Sequence, residues 1–220
     1  MNIAISDTVK NKRSIEGTEP DVLTNIFQKD INITTWQREL SAELISSIEH
    51  FLKHNKTKAE ILAVTPENTD QILCKAFGDS KEMKPLREDI TLLVDMFCCL
   101  FALNRVGLRV TILESAMCPR FHFDRIPCRL VTTYQGTTTQ WLEHDTVDRS
   151  KLGAGNQGKT DEESGLFNNL SDINQLTLGD VALLKGENWE SNEGAGLIHR
   201  SPQVLSSERR LMLTIDFLPD

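Results

Sequence analysis

The strongest constraint on this chain is a change of period near Gly107. Before it, apolar residues recur at helical spacing. After it, they come in short runs broken by Gly, Pro and polar turns. In the first half Leu40, Leu44, Ile48, Phe51 and Leu52 share one side of a helix expected to start after Thr34-Thr35 and to end near His54-Asn55. A second helix is expected from about Pro85 to Asn104, with its proline in the first turn and Leu86, Ile90, Leu93, Phe97 and Phe101 on a broad apolar face. Beyond Gly107 the segments 108–113, 121–124, 129–134, 138–142, 180–184, 197–199 and 210–217 each read as a strand. A helical block followed by many short strands predicts an α+β fold, with helices supporting one face of a β-sandwich or open barrel. The expected organisation is a polar segment over 1–30, a helical supporting section over 31–106 and a β-rich core over 107–220. With 220 residues these form one integrated domain. The polar, Gly-rich interval 145–174 is too long for a simple turn and reads as a mobile lid over a site or as an inert insertion.

Composition narrows the function. The net charge is −8 and no stripe of Lys and Arg appears, so nucleic acid is not an expected partner. The longest apolar candidate, Ile90 to Leu103, is too short to cross a bilayer and contains Asp95, so no membrane association is expected. The start, Met1 to Pro20, is polar and lacks the apolar run of a signal peptide. Five cysteines, an odd number without CxxC spacing, point to reduced thiols and a cytoplasmic setting.

The segment Cys118-Pro-Arg-Phe-His-Phe-Asp124 carries the most chemistry. On a strand, His122 and Asp124 project to the same side, presenting an imidazole and a carboxylate together. Such a pair supplies two ligands of a two-His-one-carboxylate metal site, or forms a plain His–Asp hydrogen bond. In the last strand Leu211, Leu213, Ile215 and Phe217 make an apolar face, while Arg210, Met212, Thr214 and Asp216 make the other. An Arg there needs a partner, and a bound dicarboxylate matches a guanidinium as a two-toothed pair. His199 lies eleven residues before Arg210, placed to supply a third ligand from the preceding strand.

These residues resemble the Fe(II)/2-oxoglutarate-dependent dioxygenase superfamily, especially its prolyl-hydroxylase-like branch. The likeness spans Cys118 to Leu218, through His122-Phe-Asp124, Arg129 to Tyr134, Thr138 to Trp141, Leu178 to Ala182, His199 and Arg210 to Thr214. It implies a double-stranded β-helix of the jelly-roll or cupin-like kind. By the same resemblance His122, Asp124 and His199 hold iron(II), and Arg210 anchors 2-oxoglutarate as co-substrate. Arg209 is the rival anchor, ranked lower because it shares parity with the apolar face. Thr132 and Tyr134 are carried over as further co-substrate contacts. The chain as a whole also resembles a bacterial family of unknown function with a helical first half and the same HxD…H…R ending.

The activity implied is hydroxylation of a C–H bond in a small-molecule or protein substrate that these residues do not identify. Two rival readings use the same fold: a metal-binding or metal-homeostasis protein without turnover, and a pseudo-enzyme serving as an interaction module. Trp189, Trp141 and Arg120 are candidates for the lining of a substrate mouth, Trp189 because its neighbours are polar and Arg120 because it shares parity with His122. Glu143-His144-Asp145 is read as a solvated turn, and Cys118 and Cys128 as packing residues.

Overall fold

The computed structural model describes residues 12–55, 59–204 and 208–218. Two strands open the chain, β1 (Arg13–Gly17) and β2 (Ile31–Trp36), with a 3-10 helix at Pro20–Phe27 between them. The supporting elements follow: α1 (Ala42–His54), β3 (Ala59–Val64), α2 (Thr69–Phe77) and α3 (Lys84–Phe101). The β-rich half contains β4 (Val106–Leu113), β5 (Cys128–Gln135), β6 (Gln140–Leu142), β7 (Ile173–Gln175), β8 (Val181–Lys185), β9 (Ile198–Arg200) and β10 (Arg210–Phe217).

Local chemistry accounts for the helices. α1 begins where the Ser41 Oγ accepts from the Leu44 N–H at 3.2 Å, and it buries Leu44, Ile48, Phe51 and Leu52 on one face. Thr34 and Thr35 do not start this helix; they are interior residues of β2, as their β-branched side chains favour. α3 carries Pro85 in its first turn, buries Leu86, Ile90, Leu93, Val94 and Phe97, and ends at Ala102 with φ 52°. Burying such side chains contributes about 1.5–3 kcal/mol each, which fixes the helices on the sheet.

Seven strands form one large sheet in the order β1-β2-β8-β5-β10-β4-β3, antiparallel throughout except for the β1–β2 pair. A second sheet has the order β7-β6-β9. An isolated antiparallel bridge, His122 to His199, attaches the segment before β5 to β9. The fold is therefore α+β with a large, mostly antiparallel sheet. One face of that sheet packs on the helices through Leu108, Val110, Leu130, Leu213 and Ile215. The other meets the small sheet through Ile33, Val131, Trp141, Leu184, Leu197 and Met212.

Three expectations need correction. The section 31–106 is not purely helical, because β2 and β3 extend the large sheet on both flanks and α2 was not anticipated. Of the polar segment 1–30, residues 1–11 lie outside the described residues; the remainder is structured, with Leu23 and Ile26 buried. The interval 145–174 is not an unstructured loop but a packed layer of short 3-10 turns, whose Lys151, Leu152, Gly153, Asn156 and Asp161 line a cavity with His122. Its Leu166 and Phe167 are buried against Phe121, Leu142 and Ile198 on the outer face of the small sheet.

Candidate metal centre

His122 and His199 are held opposite each other by reciprocal backbone bonds, His122 N–H to His199 O at 3.0 Å and His199 N–H to His122 O at 2.9 Å. Each ring then donates its Nδ1–H backwards, His122 to the Arg120 carbonyl at 2.9 Å and His199 to the Leu197 carbonyl at 3.2 Å. A carbonyl can only accept, so both rings present an unprotonated Nε2 when neutral. Those Nε2 atoms converge on one carboxylate: His122 lies 3.8 Å from Asp124 Oδ1 and His199 lies 3.5 Å from Asp124 Oδ2. All three ligand atoms fall within 4.8 Å of one another. The convergence does not depend on regular strand alternation, since residues 121–124 make only the single bridge at His122.

Arg129, a residue the sequence reading passed over, holds the carboxylate in place. Its NH1 donates to Asp124 Oδ2 at 2.6 Å, while Nε and NH2 grip Asp216 at 2.7 and 2.8 Å. Burial pushes the Asp124 carboxyl up, but bonding to His199 and the charges of His199 and Arg129 outweigh it and hold it well below the usual carboxylate range. Burial, reinforced by His199, lowers His122. Both shifts favour the forms that bind a cation: an ionised carboxylate and a neutral imidazole. The signal for Arg129 was present in the sequence, because Arg129 and Asp216 occupy the less apolar faces of strands that prove to be neighbours, paired residue to residue.

Arg210 is fully buried (0% exposed). Its guanidinium donates only to hydroxyls: Ser201 Oγ at 2.7 Å, Thr139 Oγ1 at 3.0 Å and Thr133 Oγ1 at 3.2 Å. Its Nε has no partner, and no carboxylate among the described residues pairs with it. Burial alone pushes its pKa down to about 10. Thr139 and Ser201 line the same cavity as His122, Arg129 and His199, so this uncompensated cation sits beside the metal ligands. Gly136 makes room for it. With φ 87° and a virtual Cβ only 2.9 Å from the Arg210 Cα, no larger residue fits there without displacing the β10 backbone. Arg209 turns to the other side of the sheet, donating to the carbonyls of Leu52 and Asn55.

The remaining sequence candidates divide. Tyr134 does not face the site; its hydroxyl donates to Asp89 Oδ2 of α3 at 2.6 Å. Thr132 follows the same parity and sits opposite Leu213 of the helix-facing core. Alternation does not run on from Asp124 into β5, because the 125–127 turn resets it; the site-facing residues of β5 are Arg129, Val131 and Thr133. Trp189 packs on Phe27 and Phe101 on the helix side and is not at the mouth. Trp141, paired with His199, is buried between the sheets. Arg120 does line a cavity, of about 270 Å³, that shares His122 with the metal centre. Cys118 is exposed and borders the metal-side cavity, whereas Cys128 is buried as expected. His144 begins a single 3-10 turn, in keeping with a turn at 143–145. Among the described residues no helix is long and apolar enough to cross a membrane.

A family model described as a protein of unknown function (DUF1826) matches residues 17–216. No curated protein matches the sequence significantly. Among solved structures, the dioxygenase for auxin oxidation 1 of Arabidopsis thaliana, in a 2-oxoglutarate complex, is similar with a TM-score of 0.53 and 10% identity, covering 95% of this chain and 93% of that one. The rice dioxygenase for auxin oxidation gives 0.50 and 9%, covering 94% of this chain and 83% of that one. At such identities the likeness is one of fold.

Proposed function

The chain belongs to the family described as protein of unknown function DUF1826, and we propose that it is an Fe(II)- and 2-oxoglutarate-dependent dioxygenase. One observation carries the reading: a fully buried arginine with no acidic partner lies beside a His–Asp–His cluster. Leaving a guanidinium buried among neutral hydroxyls costs several kcal/mol, a cost that a bound carboxylate offsets. A protein that merely stores a metal has no use for such an arginine.

The donor set fits a ferrous ion. Two imidazole nitrogens and one carboxylate suit a divalent transition metal and leave its remaining positions open. Bound there with 2-oxoglutarate, iron(II) would activate O2, the oxidant, so that one oxygen atom enters a C–H bond and the other enters succinate as the co-substrate loses carbon dioxide. The chain's own residues orient that chemistry. The Nδ1–H bonds of both histidines fix the ring planes, and Arg129 restrains Asp124. Arg210, with Ser201 and Thr139 beside it, would take the distal carboxylate.

The path of the chain supports a double-stranded β-helix. β4, β5, β8 and β10 lie in the large sheet and alternate along the sequence with the 118–124 segment, the β6–β7 pair and β9 of the small one. We assign the cavity next to Arg120 and His122 as the approach for the substrate to be oxidised. The deciding experiment is anaerobic addition of Fe(II) and then 2-oxoglutarate, followed by absorption spectroscopy. A metal-to-ligand band that disappears in His199→Ala is expected. Metal binding without any such band would instead favour the non-catalytic metal-binding protein.

A further inference from the structure

On the opposite face of the large sheet from the metal ligands lies a cavity of about 360 Å³ whose chemistry the proposed reaction does not use. Lys185, the last residue of β8, is 1% exposed, and Lys12 is 7% exposed. Each ammonium donates to one backbone carbonyl, Lys185 to Gln28 at 2.8 Å and Lys12 to Lys29 at 2.6 Å. An ammonium has three protons, so each keeps two donors in reserve. Two carboxylates are close: Glu190 lines the cavity, and Asp30, whose charge acts on both lysines, is gripped by Arg13 at 2.6 and 2.9 Å. Lys29 adds a third cationic side chain to the wall. Buried Asn192 (1% exposed) lines the same space, its amide donating to the Gly186 carbonyl at 3.0 Å while Oδ1 has no partner.

Two buried cations without an ion pair are costly: burial and then Lys12 push Lys185 down to about 8, against a smaller opposing pull from Asp30. A protein of net charge −8 has many acidic side chains with which to neutralise them. Among the described residues none forms an ion pair with either lysine, and Glu190 is the one acid among the three lysines of the wall. One wall of the cavity is aromatic: Trp189 lies under the Lys185 ammonium at 4.8 Å, and Phe27 is 52% exposed beside it.

We propose that this cavity binds a phosphate monoester with an apolar or aromatic substituent, the dianion between Lys12 and Lys185 and the substituent against Phe27 and Trp189. Charge matching favours the dianion, because one carboxylate neutralises only half of the pair, and a phosphate monoester carries close to two negative charges near pH 7.

Isothermal titration calorimetry of the full chain with phenyl phosphate, inorganic phosphate and benzoate tests this. Phenyl phosphate should bind more tightly than inorganic phosphate and about tenfold or more tighter than benzoate. Lys185→Gln and Lys12→Gln should each weaken it about tenfold, and Arg210→Ala should leave it unchanged. Should Lys185→Gln fail to fold, Lys12→Gln on the cavity rim carries the comparison. Absence of phenyl phosphate binding at millimolar concentration, equal binding of benzoate, or folded lysine variants that bind normally would overturn the proposal. Binding that vanishes in Arg210→Ala and survives in Lys12→Gln would place the anion at the metal-side arginine and overturn it as well.

Discussion

Arg210 in β10 is fully buried and Arg38, just beyond β2, is 11% exposed, and their surroundings treat the two guanidinium groups in opposite ways. On the helix side Arg38 is gripped by Asp89 at 2.6 and 3.0 Å, donates to the Gly179 carbonyl, and shares Asp89 with the Tyr134 hydroxyl. On the metal side Arg210 has three neutral hydroxyls and no acid. The first arrangement is complete within the chain. The second has no acidic partner among the described residues. The contrast separates an arginine paired within the chain from one that, in the function proposed above, takes a ligand, although both are largely shielded from solvent.

Breaking the helix-side arrangement should produce the largest effect. Arg38→Ala leaves the largely covered Asp89 with only the Tyr134 hydroxyl, which should cost about 3 kcal/mol in urea unfolding. Arg210→Met, which removes a charge that has no counter-ion, should cost less than about 1 kcal/mol and could raise the midpoint. If Arg210→Met destabilises as much as Arg38→Ala, the two faces do not differ in the way described.

A second effect extends the comparison to Lys185, a buried cation on the helix side that makes no ion pair among the described residues. Its pKa lies near 8 when folded, against an ordinary value of 10.5; burial is the main cause, Lys12 adds to it, and Asp30 and Cys128 oppose it. Between those values the unfolded chain binds more protons than the folded one, so stability from this group rises with pH across the window. The unfolding free energy of the native protein relative to Lys185→Met should therefore improve from pH 8 to 10.5. A flat difference would mean that the ammonium is not penalised by its surroundings.

The smallest effect sharpens the assignment of faces. Tyr134→Phe removes a hydrogen bond to a buried carboxylate and should lower stability by about 1–2 kcal/mol. Its affinity for 2-oxoglutarate should equal that of the native protein by calorimetry. Weakened co-substrate binding would show that β5 presents Tyr134 to the site after all.

The strand β10 was legible to the residue, because Leu211, Leu213 and Ile215 alternate with Arg210, Met212 and Thr214 over eight positions. The three ligand candidates were legible too, and the structure brings His122, Asp124 and His199 together. What the sequence hid were features without a local period. β2 and β3 join the sheet through partners far along the chain, so their short apolar runs carried no sign of pairing. The interval 145–174 looked open because its composition is polar; its order rests on buried Leu166 and Phe167. It rests also on Asp161, which accepts from the Phe121 N–H at 2.8 Å and pairs with Arg200 at 3.3 Å. Arg129 and Asp216 each stand on the less apolar face of a strand, but their pairing, 87 residues apart, has no local sign.

The central claim is that Arg210 is held open for 2-oxoglutarate beside the three metal ligands, and calorimetric titration tests it most directly. Protein loaded anaerobically with Fe(II) is titrated with 2-oxoglutarate as native chain, Arg209→Ala and Arg210→Ala. Removing one partner of a buried charged pair costs about 2–5 kcal/mol, so Arg210→Ala should weaken binding by at least about thirtyfold while Fe(II) binding survives. Arg209→Ala should bind 2-oxoglutarate as the native chain does. Undiminished binding in Arg210→Ala, or a loss confined to Arg209→Ala, would contradict the account.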